Sequence, residues 1–300
     1  MVRRLLAVLL ALAACSAEAK EPVRVASKID TEGALLGAMM IASLEARGIK
    51  TIDKLQLGPT NIVRRAIVAG EIDLYPEYTG NGAFFYGLDS DSLWKNAAAG
   101  YRKIKSLDAA RGLVWLAPAP ADNSWVIALR RDVAAANGLS SMIDFARWVE
   151  HGGAVKLVAS AEFVESPAAL PAFEQTYGFT LRASELVILA GGDTTTTMRA
   201  AAERISGIDA AMAYGTDGAL AALDLVVMSD PKHAQIVYAP APVIRRAVLD
   251  AYPEIADALD PIFGSLDAPT LRRLNARISV EGEEPSEVAR DYLRSKGFLR

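Results

Sequence analysis

Strand-length apolar runs alternate with helix-period segments twice along this 300-residue chain, and that alternation constrains the fold more than any other feature. Val23–Ala26 reads as a strand and Lys28–Gly33 as a polar turn. Ala34–Arg47 then repeats apolar residues at helical spacing up to Gly48. Thr51–Leu57 is the next strand and Thr60–Ala69 the next helix, with Gly70 placed to end it. A half-buried strand through Ile72 and Leu74 follows. Pro76 has no N–H to give a ladder, so the strand is expected to stop there and leave Tyr78 on a loop just beyond. A second series starts at Trp125: strand Trp125–Leu129, helix Asp144–Glu150, strand Val155–Ala159, helix Leu170–Thr176, strand Leu186–Ala190, helix Thr195–Ile205 and strand Ala210–Tyr214. From Pro242 onward the pattern is helical and charged, punctuated by prolines. Strands separated by helices imply parallel pairing with right-handed crossovers, and a 52% hydrophobic chain of this length is expected to split into two lobes.

The net charge of −4, with scattered basic residues, excludes a nucleic-acid-binding role. One Cys permits no internal disulfide. His151 and His233 form no zinc spacing, and no acidic calcium loop occurs, so neither metal nor cofactor is expected. At the N-terminus Arg3 and Arg4 precede the apolar run Leu5–Ala14 and the small-x-small site Ala17-Glu18-Ala19, which makes residues 1–19 an export signal. That run is too short to span a bilayer as a helix. The expected location is the periplasm. Leu12-Ala13-Ala14-Cys15 resembles a bacterial lipobox and leaves lipid anchoring through Cys15 as the alternative.

Enzyme motifs for a nucleophile elbow, a phosphate loop or a dinucleotide turn do not occur in the sequence. Acid–base chemistry would fall to carboxylates such as Glu71, Asp73, Glu77 and Asp217, and alternating acids on a strand are expected to form its solvated face. Gly191-Gly192-Asp193-Thr194, ahead of a helix, could present amides to a cleft or serve simply as a turn and N-cap. The loops instead carry aromatic residues with polar companions: Tyr78 with Asn81, Trp125 after Asp122-Asn123, Tyr214 in Tyr-Gly-Thr-Asp-Gly, and Tyr238. Rings grouped at strand ends can form a cage. A quaternary ammonium has no N–H to donate, so electron-rich ring faces are its suitable partner, at about 0.5–1 kcal/mol per exposed contact and ~2 when desolvated.

Ser27-Lys28-Ile29-Asp30-Thr31-Glu32, Leu57-Gly58-Pro59-Thr60, the block from Gly70 through Pro76-Glu77-Tyr78-Thr79-Gly80, and Ala213-Tyr214-Gly215-Thr216-Asp217-Gly218 resemble the glycine betaine/choline substrate-binding proteins of osmoprotectant ABC importers, in particular their OsmF/YehZ branch. The likeness runs from about Val23 to the C-terminus. It implies a type II periplasmic-binding-protein fold of two α/β lobes joined by two crossing hinge segments, with residues 20–122 and 236–300 in one lobe and 123–235 in the other. It further implies a monomeric receptor that delivers a small quaternary ammonium ligand to a membrane permease. Carried over by motif, Tyr78, Tyr214 and Tyr238 become cage walls, and Trp125 falls where relatives often place another Tyr. Lys28 faces the ligand carboxylate, Asn81 takes a position that is often Thr, and Asn123 is a polar contact; Lys28 as a solvated loop residue and the two Asn as turn residues are the rival readings.

One departure stands out. Relatives commonly carry an Arg after the Glu-Phe-x-x segment of the second lobe, whereas here Glu162-Phe163-Val164-Glu165 is followed by Ser166. Losing such a charge-assisted pair costs about 1.5–3 kcal/mol. The expected consequence is weak betaine binding or a preferred ligand without a carboxylate. Three readings therefore stay open: a betaine receptor, a receptor for a choline-like or other small polar solute, and a carboxylate-dependent hydrolase using Glu77 and Asp217.

Overall fold

A computed structural model describes residues 21–189 and 194–299. The signal segment with Cys15, and Gly191, Gly192 and Asp193 of the turn ahead of Thr194, lie outside the described residues. Strands β1 (Val23–Lys28), β2 (Thr51–Gly58), β3 (Leu74–Tyr78), β4 (Leu113–Trp115), β5 (Trp125–Arg130), β6 (Leu157–Ser160), β7 (Leu186–Leu189), β8 (Ala210–Tyr214), β9 (Leu225–Val227) and β10 (Pro240–Arg245) form two five-stranded sheets. Their orders are β2-β1-β3-β10-β4 and β7-β6-β8-β5-β9, the same arrangement twice. This is the type II periplasmic-binding architecture, two α/β lobes side by side.

The sheets are mixed, which corrects the expectation of parallel pairing throughout. β1 is parallel to β2 and β3, but β10 lies antiparallel between β3 and β4; likewise β6 is parallel to β7 and β8, but β5 lies antiparallel between β8 and β9. The antiparallel strand in each case is the one the chain enters from the other lobe, so no helical crossover within its own sheet fixes its direction.

Pro76 does not end its strand. β3 continues through it to Tyr78, and Pro242 of β10 stands opposite Pro76. Thr79 N donates to Ala239 O at 3.0 Å, which sets the phase of the ladder so that both prolines fall at positions where no N–H crosses between β3 and β10. The segment from Pro242 accordingly begins as a strand and turns helical only at Arg246. β3 is also buried along its whole length rather than half-buried.

Helix Thr31–Glu45 starts where Asp30 accepts the Gly33 N–H. It packs Leu35, Leu36, Met39 and Met40 into a core shared with the C-terminal helices Glu254–Gly264, Ala268–Ser279 and Pro285–Ser295, through Leu259, Phe263, Leu271 and Leu293. The tail of the chain is therefore built onto the first sheet. The second lobe has its own core of Ile127, Phe145, Leu157, Phe163, Phe173 and Met212. Between the lobes the outgoing and returning segments are stitched together: Asn123 N donates to Tyr238 O at 3.0 Å, Tyr238 N to Asp122 Oδ1 at 2.9 Å, and Ser124 Oγ to Ile236 O at 2.5 Å.

Candidate functional site

A cavity of about 910 Å³ lies between the two sheets. From the first lobe it receives Lys28, the last residue of β1; Tyr78, the last residue of β3; and Asn81, the first residue of helix Asn81–Phe85. Tyr78 thus stands at a strand end, not on the loop expected for it, and is 5% exposed. From the second lobe come Trp125, which opens β5, and Tyr214, which closes β8. The crossing segments contribute Asn123 and Tyr238. The sheet register sets Trp125 opposite Tyr214, and their rings lie 6.3 Å apart at 20°. Trp125 in turn meets the edge of Phe163 at 5.9 Å and 87°. Tyr238 closes against Gly80, where an added Cβ would stand 2.8 Å from the Tyr238 ring, so only glycine lets that wall approach.

Glu77 organises the first-lobe side. It is fully buried, against the expectation that the acids of this strand face solvent. Oε1 accepts Lys28 Nζ at 2.5 Å, Asn81 Nδ2 at 2.7 Å and the Tyr78 N–H at 2.7 Å, and Oε2 accepts the Tyr75 hydroxyl at 3.0 Å. A buried carboxylate persists when a cation and several donors share it in this way. Asp73 is buried for the same reason, held by Arg24 and Arg245. Lys28 Nζ also lies 4.4 Å from the centroid of the Tyr78 ring, so an ammonium of the protein itself sits over that aromatic face.

Ser166 follows helix Ala161–Glu165 and lines the cavity, half-buried. Among the described lining residues Lys28 is the one cation, and five acids line the cavity with it: Asp30, Glu32, Asp89, Glu162 and Asp217.

Two further groups were not singled out from the sequence. Glu32 accepts the Tyr78 hydroxyl at 2.6 Å and Asn275 Nδ2 at 2.8 Å. Burial pushes its carboxyl up to about 7, against the lowering effect of hydrogen bonds from Tyr78, Thr216 and Asn275. Burial, and then the charge of Glu32, hold the Tyr78 phenol well above its ordinary range, so it remains a donor. Glu32 stood inside a resembling motif without a role. Asn275 carried no signal, because it sits in an amphipathic helix 243 positions away from its partner.

Residues 21–295 match OpuAC, described as the substrate-binding domain of the ABC-type glycine betaine transport system. The chain belongs to this family. It is 55% identical over 294 residues to the glycine betaine-binding protein YehZ of Escherichia coli, covering 98% of this chain and 96% of that one. It is 32% identical over 285 residues to a glycine-betaine-binding protein of Pseudomonas aeruginosa, covering 93% and 89%. Among solved structures, apo YehZ from Escherichia coli superposes with a TM-score of 0.88 at 56% identity, over 93% of this chain and all of that one. A glycine betaine/carnitine/choline ABC transporter structure superposes at 0.80 with 19% identity, over 93% of this chain and all of that one, which shows the shared fold alone. The OpuAC match spans both sheets and every residue placed around the cavity.

Proposed function

We propose that this OpuAC-family protein is an extracytoplasmic receptor that captures glycine betaine or a closely related quaternary ammonium compound and delivers it to an ABC permease, without chemistry. The observation that carries this reading is the convergence of Tyr78, Trp125, Tyr214 and Tyr238 from both lobes and one crossing segment on one cavity. Ring faces are what a cation without N–H groups requires. The two relatives named as glycine betaine-binding proteins support the ligand class. Division of the lobes at residues 122/123 and 235/236 is supported by the stitched crossing segments, and closure of a monomer about that hinge is part of the same proposal.

The periplasm is the location that goes with this role, residues 1–19 acting as the signal and lipidation at Cys15 as its alternative. Among the described residues no helix is long and apolar enough to cross a membrane. A hydrolase role is disfavoured because Glu77, its intended base, is already shared by Lys28, Asn81, Tyr78 and Tyr75.

A second reading, preference for a choline-like cation, has a specific observation in its favour: the acids around the cavity outnumber its cation, and that cation is held by Glu77. Mass spectrometry of the compound released from natively purified protein separates the two. A trimethylated amino acid supports the first reading, a quaternary amino alcohol the second, and a ligand lacking a quaternary nitrogen contradicts both.

A further inference from the structure

Glu32 lies where three parts of the molecule meet. It sits in the first turn of helix Thr31–Glu45, 5% exposed, with one oxygen on the Tyr78 hydroxyl and the other on Asn275. The same Asn275 amide donates to Thr216 O at 2.9 Å, in the loop that follows β8 of the second lobe. One turn earlier, Arg272 Nε donates to Gly215 O at 2.7 Å. Gly218 meets the backbone of Ala276 so closely that a Cβ there would stand 2.3 Å from Ala276 N. Helix Ala268–Ser279, whose Leu271 and Leu274 are packed in the first-lobe core, is thus seated on the second lobe.

We propose that Glu32 is a positioning residue that couples Tyr78 of the cavity to the seam between the lobes, so that separation of Thr216 from Asn275 releases the hydroxyl contact that orients the Tyr78 ring. The role of Tyr78 rests on the binding reading above; the seam does not.

The chemistry of the cluster gives this link a direction. The donors to Glu32 are neutral groups. The charged groups around it are already engaged: Asp30 precedes it at the helix start and caps that helix, Lys28 lies over the Tyr78 ring and is held by Glu77, and across the seam Arg272 binds Gly215 O and feels Asp217. An ionised Glu32 is therefore better served by water than by the closed seam, and parting the lobes lets water in. Burial raises its carboxyl from the ordinary 4.5 to about 7. A raised acid favours the state that buries it below the ordinary value, and the advantage is lost as pH rises through about 7.

The test is small-angle scattering of the mature protein without added ligand at about pH 6 and about pH 8.5, with calorimetric titration of glycine betaine at the same two values. The expected result is a larger radius of gyration and an affinity lower by about threefold or more at the higher pH in the wild type, with both differences abolished in Glu32→Gln. Asn275→Ala, which breaks the link and keeps the Glu32 carboxyl in place with one donor fewer, is expected to enlarge the molecule at both pH values. Identical pH profiles for wild type and Glu32→Gln, or an unchanged radius in Asn275→Ala, overturn the proposal. If glycine betaine gives no heat in any variant, the ligand reading fails, and the scattering comparison still decides the coupling.

Discussion

Tyr78 and Tyr214 occupy equivalent strand ends in the two lobes, yet they differ in what their hydroxyls do. The Tyr78 hydroxyl is committed to Glu32 at 2.6 Å, whereas Tyr214 contributes chiefly a ring stacked on Trp125. Tyr214→Ala is expected to weaken glycine betaine binding by about 1–2 kcal/mol in calorimetry and Tyr214→Phe by less, since the ring face survives. Tyr78→Phe is expected to cost more than Tyr214→Phe, because it also leaves a buried carboxylate short of a donor. Equal losses for Phe and Ala at position 214 would mean that the hydroxyl, not the ring, holds the ligand. At Ser166 the expected change is a gain. Ser166→Arg offers a planar two-donor grip and is expected to strengthen glycine betaine binding by about 1–2 kcal/mol while leaving choline nearly unchanged. The aromatic residues were legible because each stands beside a glycine, asparagine or proline that marks the end of an element. Glu32 and Asn275 were not, since their importance lies in a contact that only the folded chain creates.

Among the elements, the meeting of β1, β3 and β10 depends on Asp73. Its carboxylate takes Arg24 N at 2.9 Å, Arg24 Nε at 2.8 Å and Arg245 Nη1 at 3.0 Å. Asp73→Asn is expected to destabilise the protein by about 2–3 kcal/mol in chemical denaturation, because two guanidinium groups lose their partner. Burial alone would raise the Asp73 carboxyl, but the hydrogen bonds and charge of Arg24 prevail and hold it below its ordinary 3.8. A depressed acid stabilises above its ordinary value and loses that contribution as pH falls through its folded value, so the gap between wild type and Asp73→Asn is expected to narrow in acid. A gap that stays constant to low pH would assign the stability of this junction to packing instead. Local pattern was enough to find β2, β8 and helix Thr60–Ala69, whose ends are marked in the sequence. It missed the end of β3, where Pro76 reads as a breaker, and it missed β10, where the segment from Pro242 reads as helical. There the ladder is completed by residues more than 150 positions away, and Asp73, just ahead of β3, is kept inside by partners as distant as 172 positions.

For the molecule as a whole, two stitched crossing segments and one seated helix hold the lobes at a defined separation. Gly218→Val tests the seam directly: its side chain would have to displace the backbone of Ala276, so scattering is expected to show a more extended particle with both lobes still folded. An unchanged radius of gyration would show that helix Ala268–Ser279 does not set how closely the lobes approach. The account stands most directly on whether the ring-lined cavity holds a quaternary ammonium compound. Calorimetric titration of glycine betaine into the mature wild-type protein and into the Trp125→Ala, Tyr214→Ala double variant measures this. The account predicts saturable one-to-one binding by the wild type and a loss of about tenfold or more in the variant. Undiminished binding by the variant, or no binding of either glycine betaine or choline by the wild type, would contradict it.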